Sequence, residues 1–210
     1  MDTEAIVYLV VLIISLTFHE AAHALFAKLG GDLTAYRTGQ VSLNPIPHIQ
    51  REPFGMLVLP ILTIFMSGGS MAFGYASTPI DPEWAWRNPG KAAVMAAAGP
   101  LSNLLLAVVA MLVLVFTGSA DTNNAAAVFK IANVFLVLNT VLFVFNLIPL
   151  PPLDGATVVE GLVPKARNFY GWLSSQPFSW VITMVVAWNL MKVVFPPVMS
   201  LMSDLYRALR

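Results

Sequence analysis

The chain of 210 residues contains no cysteine, which excludes disulfides, thiolate-ligated zinc and a thiol nucleophile. It is also poor in charge: 10% of residues are Asp, Glu, Lys or Arg, against about 25% in an ordinary soluble domain. The 11 basic and 11 acidic residues cancel, so nothing in the balance favours nucleic acid. No internal repeat is visible. What fills the chain instead is apolar, with 58% hydrophobic residues and a mean hydropathy of +0.76. These residues gather in long runs, the pattern of a polytopic membrane protein.

The first run, about Ala5 to Leu29, carries His19-Glu20-Ala21-Ala22-His23. Histidines four apart fall on one face of a helix, one turn above the other. With Glu directly after the first, this is the H-E-x-x-H pattern, in which both imidazoles bind Zn²⁺ and the Glu is a general base. Ionisable groups inside a span are costly, about 2.5–3.5 kcal/mol each for charged residues on insertion scales, and a shared metal ion is their simplest common partner. Two plainer readings compete. One is a span whose histidines bond to neighbouring helices. The other is a signal peptide with Ala22-His23-Ala24 as its cleavage site, but Asp2 and Glu4 open the chain and no Lys or Arg precedes Lys28.

Further along, Gly30-Gly31 ends the first helix. Residues 32–54 are more polar. Strand formers from Thr34 to Leu43 and turns imposed by Asn44-Pro45 and Pro47 predict a short β-hairpin or an extended loop, with His48 as a hydrogen-bonding turn residue rather than a third ligand. The apolar stretch 55–74 is interrupted by Pro60 and Ser67-Gly68-Gly69-Ser70, as a broken or re-entrant segment would be. Residues 91–117 predict a span kinked at Pro100, with Ala96, Ala97, Ala98, Gly99 and Ser102 suiting close helix approach. Asn103 within it reads equally well as interhelical glue or as a polar group aimed at a buried site. A polar link, Gly118 to Asn124, leads to a span over 126–148. There Pro149, Pro151 and Pro152 force the chain to unwind before Leu153-Asp154-Gly155. An Asp in a Pro-rich turn is ordinarily a surface residue. A carboxylate is, however, the group that a two-histidine zinc site lacks. The last apolar helix, about Phe178 to Phe195, is stopped by Pro196-Pro197, and the tail reads as an interfacial helix.

If His19, His23 and Asp154 share an ion they lie at one depth. The histidines sit about 14 residues into their helix, some 20 Å at 1.5 Å per residue. The C-terminal ends of the first span and of 126–148 then face the same side, and segment 55–74 makes no net crossing. That layout gathers Lys28, Arg37, Arg51, Arg87, Lys91, Lys165 and Arg167 on one face, which the positive-inside rule makes cytoplasmic.

With these residues in place, the chain resembles the site-2 protease family of intramembrane zinc metalloproteases, in its compact prokaryotic branch without PDZ or CBS domain. The matching pieces are His19 to His23, Gly99-Pro100-Leu101-Ser102-Asn103, and Asn146-Leu147-Ile148-Pro149 leading to Leu153-Asp154-Gly155. Ser42 to His48 and Phe73-Gly74-Tyr75-Ala76 are similar to that branch as well. The resemblance implies one Zn²⁺ per chain on His19, His23 and Asp154. It makes Glu20 the catalytic base, and Asn103 and Asn146 the residues that position substrate or stabilise the intermediate. It implies a single intramembrane protease domain over 1–210, all-α, with about four to six transmembrane helices, a membrane-associated β-hairpin and a re-entrant or broken segment. The substrates implied are transmembrane segments of other membrane proteins, cut in extended form beside the 32–54 hairpin or Phe73 to Ile80. The bilayer is its setting, a second copy of the chain a candidate partner, and the cell membrane its location, with the active site opening to the cytoplasm. The competing class is a membrane transporter or metal-binding scaffold using the same His/Glu/Asp cluster.

Overall fold

The computed structural model describes residues 3–69, 72–117 and 123–210. Three long helices form the centre: α1 (Thr3–Gly30), α6 (Pro89–Thr117) and α7 (Asn123–Asn146). α6 packs along both others, and buried Ala92, Ala93, Ala96 and Gly99 on its first half leave room for α1 and for the short α8 (Asp154–Leu162). Small residues allow such close approach where no aqueous hydrophobic effect drives helices together. α6 runs unbroken through Pro100. Between α1 and α6 lie α2 (Thr34–Arg37), α3 (Pro45–Arg51), a π-helical turn Phe54–Val58 continuing into α4 (Leu59–Met66), and α5 (Pro82–Arg87). After α8 come α9 (Ala166–Ser175) and α10 (Ser179–Leu209).

Among the described residues, four helices are long and apolar enough to cross a membrane: α1, α6, α7 and α10. The count is five if α3 and Phe54–Met66, bent by 110° to each other, form one broken span. This bend agrees with a broken segment. Ser67 to Gly69 form the turn that ends α4, where the Gly69 N–H bonds to the Ile64 carbonyl at 2.8 Å. Ser70 of that break and residues 118–122 of the polar link lie outside the described residues.

Two expectations are corrected. No strand exists among the described residues, so the β-hairpin at 32–54 is replaced by α2 and α3. The reason is local. Asn44 is an N-cap, its Oδ1 accepting from the Ile46 N–H at 3.0 Å, and Pro45 holds the first helical position. Asn-Pro, read as a turn, is a helix start here. The second correction is at the C-terminus. α10 does not stop at Pro196-Pro197 but continues to Leu209. The missing proline N–H groups deprive the Lys192 and Val193 carbonyls of their i+4 donors without ending the helix.

Candidate metal centre

His19, Glu20 and His23 lie in the second half of α1 and are all buried. Their ligating atoms lie within 4.8 Å of one another. The third partner arrives from the other end of the sequence. α7 ends at Asn146, and the unwound Leu147–Leu153 stretch carries the chain back to Asp154, the first residue of α8. Unwound backbone inside a membrane needs protein cover. Tyr170 of α9 supplies part of it, its hydroxyl donating to the Pro149 carbonyl at 3.0 Å; Thr183 of α10 donates to the Pro151 carbonyl at 2.6 Å. Neither residue stood out in the sequence.

The site then assembles as four convergent atoms. His19 Nε2 lies 3.0 Å from His23 Nε2, Asp154 Oδ2 lies 3.1 Å from His19 Nε2, and Asp154 Oδ1 lies 3.3 Å from His23 Nε2. The far side of each ring decides what these atoms carry. His23 Nδ1 donates to the Met95 carbonyl at 2.8 Å, and His19 Nδ1 donates to Asn103 Oδ1 at 2.6 Å. A neutral imidazole has one N–H, so both Nε2 atoms present bare lone pairs. With both rings neutral, they face each other and a carboxylate with no hydrogen between them. Asp154 Oδ2 is accordingly buried without a hydrogen-bond partner. Such a cluster of acceptors repels itself unless a cation sits among them.

Gly99 leaves the space for one. A Cβ added there would stand 2.3 Å from His23 Nε2 and 2.6 Å from His19 Nε2. Two imidazole nitrogens and a carboxylate oxygen around a gap suit Zn²⁺ with an open fourth position. On the observed geometry, the residues present fit that ion.

Beside the ion site lies a cleft of about 210 Å³, lined by His19, Glu20, His23, Ala76, Ser77, Thr78, Ile80, Met95, Ala96, Asn146, Pro152, Asp154 and Thr157. Residues 72–81 run past it without helix or strand. Thr78 donates its hydroxyl to Glu20 Oε2 at 2.7 Å. Nothing in the Pro-rich stretch around Thr78 signalled this contact. Asn146 lines the cleft, with one amide hydrogen on the Leu142 carbonyl at 2.9 Å. Asn103 does not line it. It is fully buried behind His19, on the side of the ring away from the metal position. His48 stands apart, buried in the α2–α3 region with Nε2 donating to the Ser42 carbonyl at 2.9 Å.

Comparison with known proteins gives consistent matches. The model of peptidase family M50 matches residues 7–122 and 119–190. YwhC of Bacillus subtilis (strain 168), provisionally named a zinc metalloprotease, is 40% identical over 164 residues, 75% of this chain and 69% of that protein. Rip2 of Mycolicibacterium smegmatis (strain ATCC 700084 / mc(2)155), named in the same provisional way, is 33% identical over 149 residues, 70% of this chain and 54% of that protein. No solved structure gives a significant match.

Proposed function

The chain belongs to peptidase family M50 and is a zinc-dependent protease, and on that premise we propose that it cuts peptide bonds of transmembrane segments within the bilayer. The observation that carries this reading is the convergence of His19 Nε2, His23 Nε2 and the Asp154 carboxylate, whose buried Oδ2 has no hydrogen-bond partner, in the second half of an apolar helix. Residues 1–210 act as one protease domain, with His19, His23 and Asp154 holding one zinc. Zinc held there is a Lewis acid, able to lower the pKa of a coordinated water to about 7 and to polarise a carbonyl.

The chain's own residues do the rest. Glu20, beside His19 and lining the cleft, takes a proton from the attacking water and delivers it to the leaving amine. Thr78 holds Glu20 Oε2 so that the other carboxylate oxygen is left for this transfer. Asn146 spends one amide hydrogen on Leu142 and offers the second to the oxyanion. Asn103 orients His19, a role in place of the substrate contact expected of it. Residues 72–81 offer backbone outside any helix beside the cleft, where a substrate segment unwound from its own helix can lie as an added strand.

Orientation follows from charge. Lys28 and Lys91 sit where α1 stops, Lys91 donating to the Gly30 carbonyl, and Arg37, Arg51, Arg87, Lys165 and Arg167 lie on the short segments between the long helices, while Glu4 near the start of α1 pairs with Lys130. The basic end faces the cytoplasm by the positive-inside rule, and the cleft opens there. The test is cleavage of a model transmembrane substrate by detergent-purified protein, with fragments weighed by mass spectrometry. Chelator-sensitive cuts inside the apolar segment are expected; cuts confined to the flanking polar regions would contradict the proposal.

A further inference from the structure

The two histidines among the candidate zinc ligands are oriented by different kinds of partner. His23 Nδ1 meets a backbone carbonyl, which can only accept, so its tautomer is settled by that one contact. His19 Nδ1 meets a side-chain amide, which can present either end. Turned over, Asn103 would offer its NH₂ to His19 Nδ1. The ring hydrogen would then move to Nε2 and satisfy Asp154 Oδ2, 3.1 Å away. That alternative removes the lone pair a metal needs. Something must oppose it.

The opposition runs back through three helices. Asn103 Nδ2 donates to Asn139 Oδ1 at 2.9 Å and to the Ser15 carbonyl at 3.3 Å. Turning the amide would therefore set its oxygen against two acceptors. Asn139 is held in its turn, since its Nδ2 donates to the Phe135 carbonyl and to Ser15 Oγ, both at 2.9 Å. Ser15 accepts that bond because its own hydrogen goes to the Val11 carbonyl at 2.7 Å. Each donor in this series points one way, from His19 to Asn103, to Asn139, to Ser15 and to Val11. Ser15, Asn103 and Asn139 are completely buried. Three polar side chains buried together in apolar helices are costly unless fully bonded.

We infer that Asn139, backed by Ser15, is a positioning residue that locks the Asn103 amide and so holds His19 in its metal-binding tautomer. The inference rests on the reading of His19 as a zinc ligand, but its physical content concerns the ring hydrogen and can be observed separately. Partners behind metal-bound histidines typically govern affinity by about 10- to 100-fold.

The test uses the full chain in detergent with ¹⁵N-histidine, where three histidines make assignment simple. Nitrogen shifts of His19 are read in chelator-treated protein, and zinc affinity by competition with a chelator. Wild type is expected to carry the His19 hydrogen on Nδ1. Asn139→Leu leaves Asn103 a single acceptor, so a second His19 form protonated at Nε2 appears and zinc binding weakens by about 10- to 100-fold. Asn139→Asp still accepts from Asn103 and is expected to keep both the tautomer and the affinity, although a buried acid harms packing more than Leu does. Asn139→Ala is read in the same way as Asn139→Leu should the larger side chain prevent folding. Wild-type tautomer and zinc affinity in both apolar variants would overturn the inference. So would an Asp variant as weak as the Leu variant. Failure of wild type to bind zinc, with the tautomer shift present, would instead strike the metal assignment and leave the locking role standing.

Discussion

Gly99→Ala is a one-carbon test of the ion site. The added Cβ would lie 2.3 Å from His23 Nε2, 2.5 Å from its Cε1 and 2.6 Å from His19 Nε2. Imidazole nitrogens hold zinc at about 2.0–2.1 Å, so the methyl group falls almost where the ion belongs. Ordinary carbon–nitrogen contact needs about 3.5 Å or more, and the overlap is relieved only if rings or helices give way. α1 and α6 are closely packed there, and His19 and His23 are each tied by Nδ1 to α6. Overpacking of this kind costs about 1–3 kcal/mol. Charged against metal binding, that is a loss of roughly 5- to 150-fold in zinc affinity, with helix content retained because the substitution suits a helix. The assay is zinc affinity by chelator competition on purified protein, with circular dichroism as the folding control. A Gly99→Ala protein that binds zinc as tightly as wild type would refute the placement of the ion beside Gly99.

Other outcomes follow from the same geometry. Glu20→Gln keeps zinc bound and loses cleavage by about 10²- to 10⁴-fold, the contribution of a general base; metal analysis beside a cleavage assay checks both halves. Thr78→Val removes the bond to Glu20 Oε2, worth about 1.5–3 kcal/mol to a charged group, so kcat falls by about 10- to 100-fold at unchanged zinc content, and Thr78→Ser restores it. Asp32, just past α1, is buried, which alone would raise its pKa. Bonds from the Thr34 hydroxyl and from the Asp81 and Thr34 N–H groups outweigh this and hold its carboxyl below the ordinary value. Its stabilising contribution is therefore present above about pH 4, the unfolded value, and is lost as pH falls through the lower folded one. Unfolding curves should show Asp32→Asn losing stability at neutral pH and converging on wild type in acid.

Much of the site was legible because its chemistry obeys short rules. His19 and His23 need only helical spacing to share a face, and Glu20 needs only to follow. Asp154 was legible because Pro149, Pro151 and Pro152 forbid the helix that would otherwise carry it away. Proline misled elsewhere. Pro45 starts α3 behind its Asn44 cap, and Pro196-Pro197 lie inside α10, since the pre-proline bias against helix is a preference that the surrounding apolar helix overrides. The series Ser15, Asn103 and Asn139 spans three helices, and no spacing within one segment announces it. Asn139 in a run of Val, Leu and Phe was a signal, because a buried amide in a span wants a partner, but the identity of that partner is tertiary. Thr78 is further still from view, since a stretch without helix or strand has no period to place its hydroxyl near Glu20.

Zinc K-edge X-ray absorption on the purified full chain, beside Asp154→Ala, addresses the metal centre itself. Nitrogen and oxygen ligands at about 2.0–2.2 Å with the outer-shell signature of two imidazoles are expected, together with a loss of bound zinc in the variant. A spectrum with three imidazoles, or an Asp154→Ala protein with undiminished zinc and the same first shell, would contradict this ligand set.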